Sequence, residues 1–206
     1  MAGKDENFRE KPIVVAVSGA SGAAYAVSLL RQLGRRAIPV DLIASEMGRD
    51  MLSREVGIPV EGSLIQHLAE QGIETENFQS HDVDNLSAPP ASGSYPARAM
   101  VVCPCSMKTL SAVAAGSCRT LIERAAEVIL KEQRKLILVV RESPYSLIQI
   151  ENMRSAALAG ALILPASPAF YQHPGKIEDL VDFIVARILD QLGIPHELLK
   201  PWGGKN

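Results

Sequence analysis

The chain has 206 residues, 47% of them hydrophobic and only 4% aromatic, with a formal net charge of -2. That length suits one domain with a core of Ala, Val, Leu and Ile, and the charge balance gives no support to a nucleic-acid or anionic-membrane partner. No apolar run approaches the roughly 18 residues that a spanning helix needs, and the polar opening MAGKDENFREKP lacks the apolar stretch of a signal peptide, so a cytoplasmic protein is expected.

Residues 1–11 read as a disordered leader. Pro12–Ser18 is a first buried strand that runs into Gly19-Ala20-Ser21-Gly22 and an Ala/Leu-rich helix over Ala23–Leu33. Glycines there let a backbone approach a ligand closely, although the full G-x-G-x-x-G fingerprint is absent. Ile38–Ala44 is a second strand, ending at Ser45 and Glu46, with helices over Met47–Val56 and Ser63–Gly72. Residues 73–87 are polar and weakly periodic, a loop with at most one short strand. Ala88-Pro-Pro-Ala-Ser-Gly-Ser94 is a rigid loop with two hydroxyls, Ser92 and Ser94.

Ala99–Cys103 is a continuous apolar run, a strand buried on both faces. Pro104 cannot donate to a ladder, so the strand is expected to end there. Ser106 is a good cap for a helix to about Ala115. Cys103 and Cys105, with no second Cys or His pair nearby, read as buried filling rather than a zinc site. A helix over Leu121–Glu132 carries Arg124 and Lys131, seven residues apart and so on nearly one face; by itself this is a solvated charged face. Lys135–Val140 is a strand ending in Arg141-Glu142-Ser143-Pro144. A helix over Ile148–Ala159, a strand over Ala161–Pro165, the segment Pro168–Tyr171 and an amphipathic helix over Ile177–Leu192 containing Arg187 complete the domain, 12–194. The tail, 195–206 with Trp202, is expected to pack on the domain or on a neighbouring subunit.

The alternation of strand and helix predicts an α/β fold: a parallel sheet wrapped by helices on both faces, a three-layer αβα architecture. In such a sheet the carboxyl ends lie on one edge, where ligands bind. Gly19–Gly22, Ser45, Ser106–Thr109, Arg141–Glu142 and Pro168–Tyr171 would form that mouth. No Asp-rich cluster suited to Mg²⁺ and no Ser-His-Asp set stands out, and His67, His81, His173 and His196 are expected in loops or at helix edges. The cations Arg124, Lys131, Arg141 and Arg187 suit phosphate. The residues thus point to a site for one or two phosphorylated small molecules, without choosing the reaction.

Several motifs carry a resemblance: V-S-G-A-S-G at 17–22, A-S-G-S at 91–94, P-C-S-M-K-T-L at 104–110, E-R-A-A-E-V-I-L-K-E at 123–132, V-V-R-E-S-P at 139–144, P-A-F-Y at 168–171 and the W-G-G end. In this order, from about Pro12 to Gly204, the chain resembles the UbiX-like flavin prenyltransferases. The resemblance implies a flavodoxin/Rossmann-like homo-oligomer, commonly a dodecamer, that binds FMN and joins the dimethylallyl group of dimethylallyl monophosphate to N5 and C6 of reduced FMN, without a metal. The product, prenylated FMN, would serve a UbiD-like decarboxylase. It implies that Gly19, Ala20, Ser21, Ser45, Ser106, Met107, Lys108, Thr109 and Arg141 hold FMN. Ser92, Tyr171 and Arg187 would hold the prenyl donor, with Arg124 and Lys131 reaching in from a neighbouring subunit. Ser21, Glu142 and Lys131 would carry the chemistry, and Glu55 and Trp202 match positions used around the site. The chain departs from the family pattern at Glu46, Leu86 and Arg119-Thr120. Two alternatives stand beside this reading: a flavin-dependent decarboxylase of the same fold, acting on an aromatic or cysteine-type acid, and a flavin carrier without chemistry. A cysteine-decarboxylating relative would want an active-site His, and no His is expected at a strand's carboxyl end.

Overall fold

The computed structural model describes residues 11–199. The leader before Lys11, and Trp202 with the end of the tail, lie outside the described residues. Six strands form one sheet: β1 (Ile13–Val17), β2 (Val40–Ala44), β3 (Phe78–His81), β4 (Ala99–Cys105), β5 (Lys135–Val140) and β6 (Leu162–Pro165). Every pairing is parallel, in the order β3-β2-β1-β4-β5-β6. This is the doubly wound arrangement, whose strand order reverses between β1 and β4. The short strand expected within 73–87 is β3, on one edge.

Among the described residues, seven α-helices cover the two faces. On one face α1 (Ala23–Gly34), α2 (Glu46–Val56), α3 (Leu64–Glu70) and α7 (Ile177–Leu192) pack on Val15, Val101 and Val139. On the other, α4 (Met107–Ala114), α5 (Leu121–Lys131) and α6 (Leu147–Leu158) pack on Val14, Val102 and Leu138. Alternate residues of each strand thus feed opposite layers, so the strands read as unbroken apolar runs. All five residues of β1 are buried.

Local chemistry sets the helix ends. Ser45, Ser63, Ser106, Thr120 and Ser146 each accept a hydrogen bond from a first-turn amide. Thr120, one of the departures from the family pattern, is therefore the cap of α5. Helix α5 turns Leu121, Ile122, Ala125, Ala126, Val128 and Ile129 inward, the stripe an amphipathic helix buries. Helix α6 differs: only Ala156 is buried, and Leu147, Ile148 and Leu158 are more than 70% exposed.

The expectation that the strand ends at Pro104 is corrected: β4 runs through it to Cys105. Val102 pairs with Leu138 and Cys105 with Val140, so one extra residue is accommodated at an irregularity around Pro104, which follows a cis peptide bond. Pro104 has no amide to lose there, and its carbonyl accepts hydrogen bonds from the amide and hydroxyl of Ser18. The extra residue also reverses the facing of the chain. Cys103 enters the layer of α1, Cys105 that of α4, and both are fully buried. Burial pushes the Cys105 thiol up to about 12 and raises that of Cys103 further.

Candidate active site

The mouth opens where the strand order reverses. Ser18, buried at the end of β1, ties its two sides together. Its hydroxyl donates to the Pro104 carbonyl at 2.9 Å and accepts from the Ser106 amide at 2.8 Å. Ser106 then caps α4, accepting from the Thr109 amide at 3.3 Å, with the two hydroxyls 3.1 Å apart. The amides of Met107 and Lys108, in the first turn of α4, find no intrahelical partner, and Lys108 is exposed beside them. This is a cradle for an anion: free N–H groups, two hydroxyls and a cation.

Across the mouth, Glu55 of α2 reaches the start of α1. Its Oε2 accepts from the amides of Gly22 and Ala23, both at 2.8 Å. Gly22 has φ 120°, a conformation suited to glycine. Arg141, just past β5, donates from Nε to the Ser21 carbonyl at 3.2 Å, and its amide donates to Cys105 O at 3.3 Å. Among the described residues its Nη groups make no hydrogen bond, which leaves them to a ligand. Burial pushes the Glu55 carboxyl up, but hydrogen bonds from Ser21, Gly22 and Ala23 and the Arg141 charge outweigh it and hold it below its ordinary value. The amides at the start of α1 are therefore occupied by the protein's own carboxylate, and the free helix terminus is that of α4.

Close packing shapes the remaining walls. A Cβ on Gly19 would lie 2.5 Å from the Met47 Cβ, and one on Gly48 would lie 2.3 Å from the Val17 carbonyl oxygen. Only glycine lets α2 approach β1 this closely. Ser45 caps α2, accepting from Gly48 N at 3.0 Å. Glu142 lines a groove of about 370 Å³ with Arg141, Tyr145, Ala166 and Ser167. Ser167 also lines a second groove, of about 340 Å³, with Leu164, Phe183 and Arg187. Tyr171 meets Phe183 edge to face at 6.2 Å. Tyr171 and Arg187 thus share one apolar neighbourhood, next to the Glu142 groove. Arg187 is paired with Asp190 at 2.5 Å.

Ser92, Arg124 and Lys131 form a separate group. Arg124 donates from Nε to Ala91 O at 3.1 Å and pairs with Glu127 at 2.5 Å. Lys131 pairs with Glu132 at 2.5 Å, and a Cβ on Gly93 would sit 2.7 Å from its Nζ. Arg134 donates to the carbonyls of Gly93 and Tyr95 at 2.8 and 2.6 Å. Arg134 precedes β5 and Arg141 follows it; at about 3.3 Å per residue, the strand holds them about 20 Å apart. Lys131 and the loop near Gly93 therefore stand toward the amino edge of the sheet, and one chain does not bring them into the mouth.

Two features were missed at the sequence level. One is Ser18, whose signal was a hydroxyl closing an apolar strand. The other is Asp41, a buried carboxylate within β2. Its Oδ1 accepts from His81 Nε2 at 2.7 Å and its Oδ2 from the Tyr95 hydroxyl at 2.9 Å. His81 is the last residue of β3, which corrects the expectation that no His stands at a strand's carboxyl end. Its ring is nonetheless engaged by Asp41 and is 5% exposed, so it presents no free imidazole to the mouth. Among the described residues, no three His, Cys, Asp or Glu side chains gather as they would around a metal ion.

The flavoprotein family matches residues 2–189. The chain is 46% identical over 195 residues to the flavin prenyltransferase UbiX of Pseudomonas aeruginosa, covering 93% of each. Its fold matches that of AnUbiX (PadA1), solved in complex with FMN and dimethylallyl pyrophosphate, with a TM-score of 0.86 and 39% identity over 96% of this chain and 100% of that one. It also matches the dodecameric FMN-dependent UbiX-like decarboxylase from Escherichia coli O157:H7, with a TM-score of 0.85 and 37% identity over 94% of this chain and 100% of that one.

Proposed function

The chain belongs to the flavoprotein family and, within it, to the UbiX flavin prenyltransferases, and on that premise we propose that it joins the dimethylallyl group of dimethylallyl monophosphate to N5 and C6 of reduced FMN. The observation that carries this reading is the interlocked mouth of Ser21, Glu55 and Arg141 facing the free first turn of α4. Reduced FMN, as substrate, would supply the electron-rich N5 and C6. Met107, Lys108, Thr109, Ser106 and the free Nη groups of Arg141 offer the donors an FMN phosphate needs. Gly19, Ala20, Ser21 and Ser45 line the approach for the flavin.

Arg124, Lys131, Tyr171 and Arg187 grip the donor phosphate and stabilise the charge that grows on it as the allylic C–O bond breaks. Ser92 holds the prenyl side. Glu142 and Ser21 hold and move a proton near the position of flavin N5. Enclosure excludes water, which would otherwise capture the allylic cation. The catalytic unit spans residues 12–194.

Arg124 and Lys131 serve the mouth of a neighbouring copy, because their own lies across the sheet. This division requires a homo-oligomer, for which we propose a dodecamer, and the exposed Leu147, Ile148 and Leu158 of α6 offer an apolar face for it. No helix among the described residues is long and apolar enough to cross a membrane. We place the protein in the cytoplasm, handing prenylated FMN to a UbiD-like decarboxylase. Incubated without oxygen with reduced FMN and dimethylallyl monophosphate, it should yield a flavin heavier by one C5 unit by mass spectrometry. An unchanged flavin mass would overturn the reading, and direct CO2 release from an acid without a partner enzyme would favour a decarboxylase.

A further inference from the structure

The Asp41–His81–Tyr95 cluster takes no part in the chemistry above, yet its carboxylate lies within the sheet. Asp41 is 2% exposed on β2, between Val14 of β1 and Gln79 of β3 in register. A buried carboxylate is costly unless its oxygens are satisfied, and here each has one partner: His81 at 2.7 Å and the Tyr95 hydroxyl at 2.9 Å. His81 comes from the adjacent strand. Tyr95 comes from the loop that carries Ser92.

That loop is held from two further directions. Arg134 donates one Nη to Gly93 O and the other to Tyr95 O, at 2.8 and 2.6 Å. Arg124 donates to Ala91 O at 3.1 Å. The Tyr95 amide closes a turn onto Ser92 O at 3.2 Å. The outcome is a short projection whose tip, Ser92 and Ser94, is exposed with the two hydroxyls 2.9 Å apart. The sheet, through Asp41, and α5, through Arg124 and the following Arg134, meet at the same loop.

We propose that Asp41, Tyr95 and Arg134 are positioning residues that fix the 91–95 loop so that Ser92 is presented, with Arg124 and Lys131, to the prenyl donor in the mouth of a neighbouring copy. This rests on the prenyl-transfer reading given above. Asp41 acts only through Tyr95, and His81 satisfies the oxygen that Tyr95 leaves. Among the described residues the hydroxyl is the one polar link from the loop to the sheet, so Tyr95→Phe cuts it and keeps the ring.

Amide hydrogen exchange and kinetics on the full-length Tyr95→Phe protein test the proposal. Exchange over residues 91–95 should quicken by roughly five- to thirtyfold, the range a lost buried hydrogen bond spans, with β4 and β5 unchanged. KM for dimethylallyl monophosphate should rise several-fold while FMN affinity stays within about twofold of wild type. Asp41→Asn keeps an acceptor for the hydroxyl and should fall between the two. Unchanged exchange over 91–95 would overturn the proposal whatever the activity, and so would a loosened loop with an unchanged donor KM. Equal loss of donor and FMN binding would reduce the cluster to general structure and overturn it as well. Wild-type protein that makes no prenylated flavin would remove the donor role together with the prenyl-transfer reading. The exchange result would then stand by itself on whether the loop is pinned.

Discussion

Glu55 holds two backbone amides that a phosphate would otherwise take, and its charge is what makes it a good occupant. Its carboxyl is held below the ordinary value of about 4.3 by Ser21, Gly22, Ala23 and Arg141, against the upward push of burial. A group with a depressed folded value adds stability above the unfolded value and loses it as pH falls through the folded one. Glu55→Gln should therefore lower the urea midpoint at neutral pH, and the gap to wild type should close as pH falls below the ordinary carboxylate range. The gap will be small because the side chain is exposed. A gap that stays constant over that range would mean the charge is not what binds the amides. In the sequence, Ser21 and Arg141 stood out because each follows an apolar strand. The partnership with Glu55 was not legible, since 33 residues separate it from Gly22 and only the packing of α2 joins them.

That packing is a property of elements. Helix α2 lies against the end of β1 because Gly48 has no Cβ: one would stand 2.3 Å from the Val17 carbonyl oxygen and 3.2 Å from Ser45 Oγ. Gly48→Ala should push the helix away, lowering stability by about 1–3 kcal/mol and weakening FMN binding as Glu55 withdraws from Gly22. Urea unfolding and a flavin titration check this, and an unchanged midpoint would show that the helix can shift at no cost. Bounds of β5 and α7 were legible to the residue because Lys135–Val140 is one apolar run and Ile177–Leu192 has a single amphipathic stripe. Pro104 misled because its missing donor was read as a strand end, whereas the ladder steps over it and uses its carbonyl. Strand β3 was faint because it is an edge strand of four residues, and none of the four is buried.

At the scale of the molecule, the proposed division of the site rests on the separation that the sheet imposes. Strand β5 keeps Arg141 at one edge of the sheet, while Lys131 and Gly93 lie near the other, so charges seven residues apart on α5 look like a plain solvated face until a second copy is brought up. Sequence periodicity reports what a chain buries in itself, which is why the outward Ile148 and Leu158 of α6 were assigned to a helix but not to a surface. If each site takes Arg187 from one copy and Arg124 from another, the two variants Arg124→Ala and Arg187→Ala should complement. Each alone should bind donor weakly and turn over slowly. Unfolded together, mixed in equal amounts and refolded, they should recover about one quarter of wild-type turnover, because a heterologous interface draws its two halves from different chains. Every site with both native residues would arise from one Arg187→Ala chain supplying Arg124 and one Arg124→Ala chain supplying Arg187. Mixtures no more active than the separate variants, at unchanged oligomer size by sedimentation, would mean that each site takes both cations from one copy, and an Arg124→Ala variant as active as wild type would return Arg124 to the solvated face.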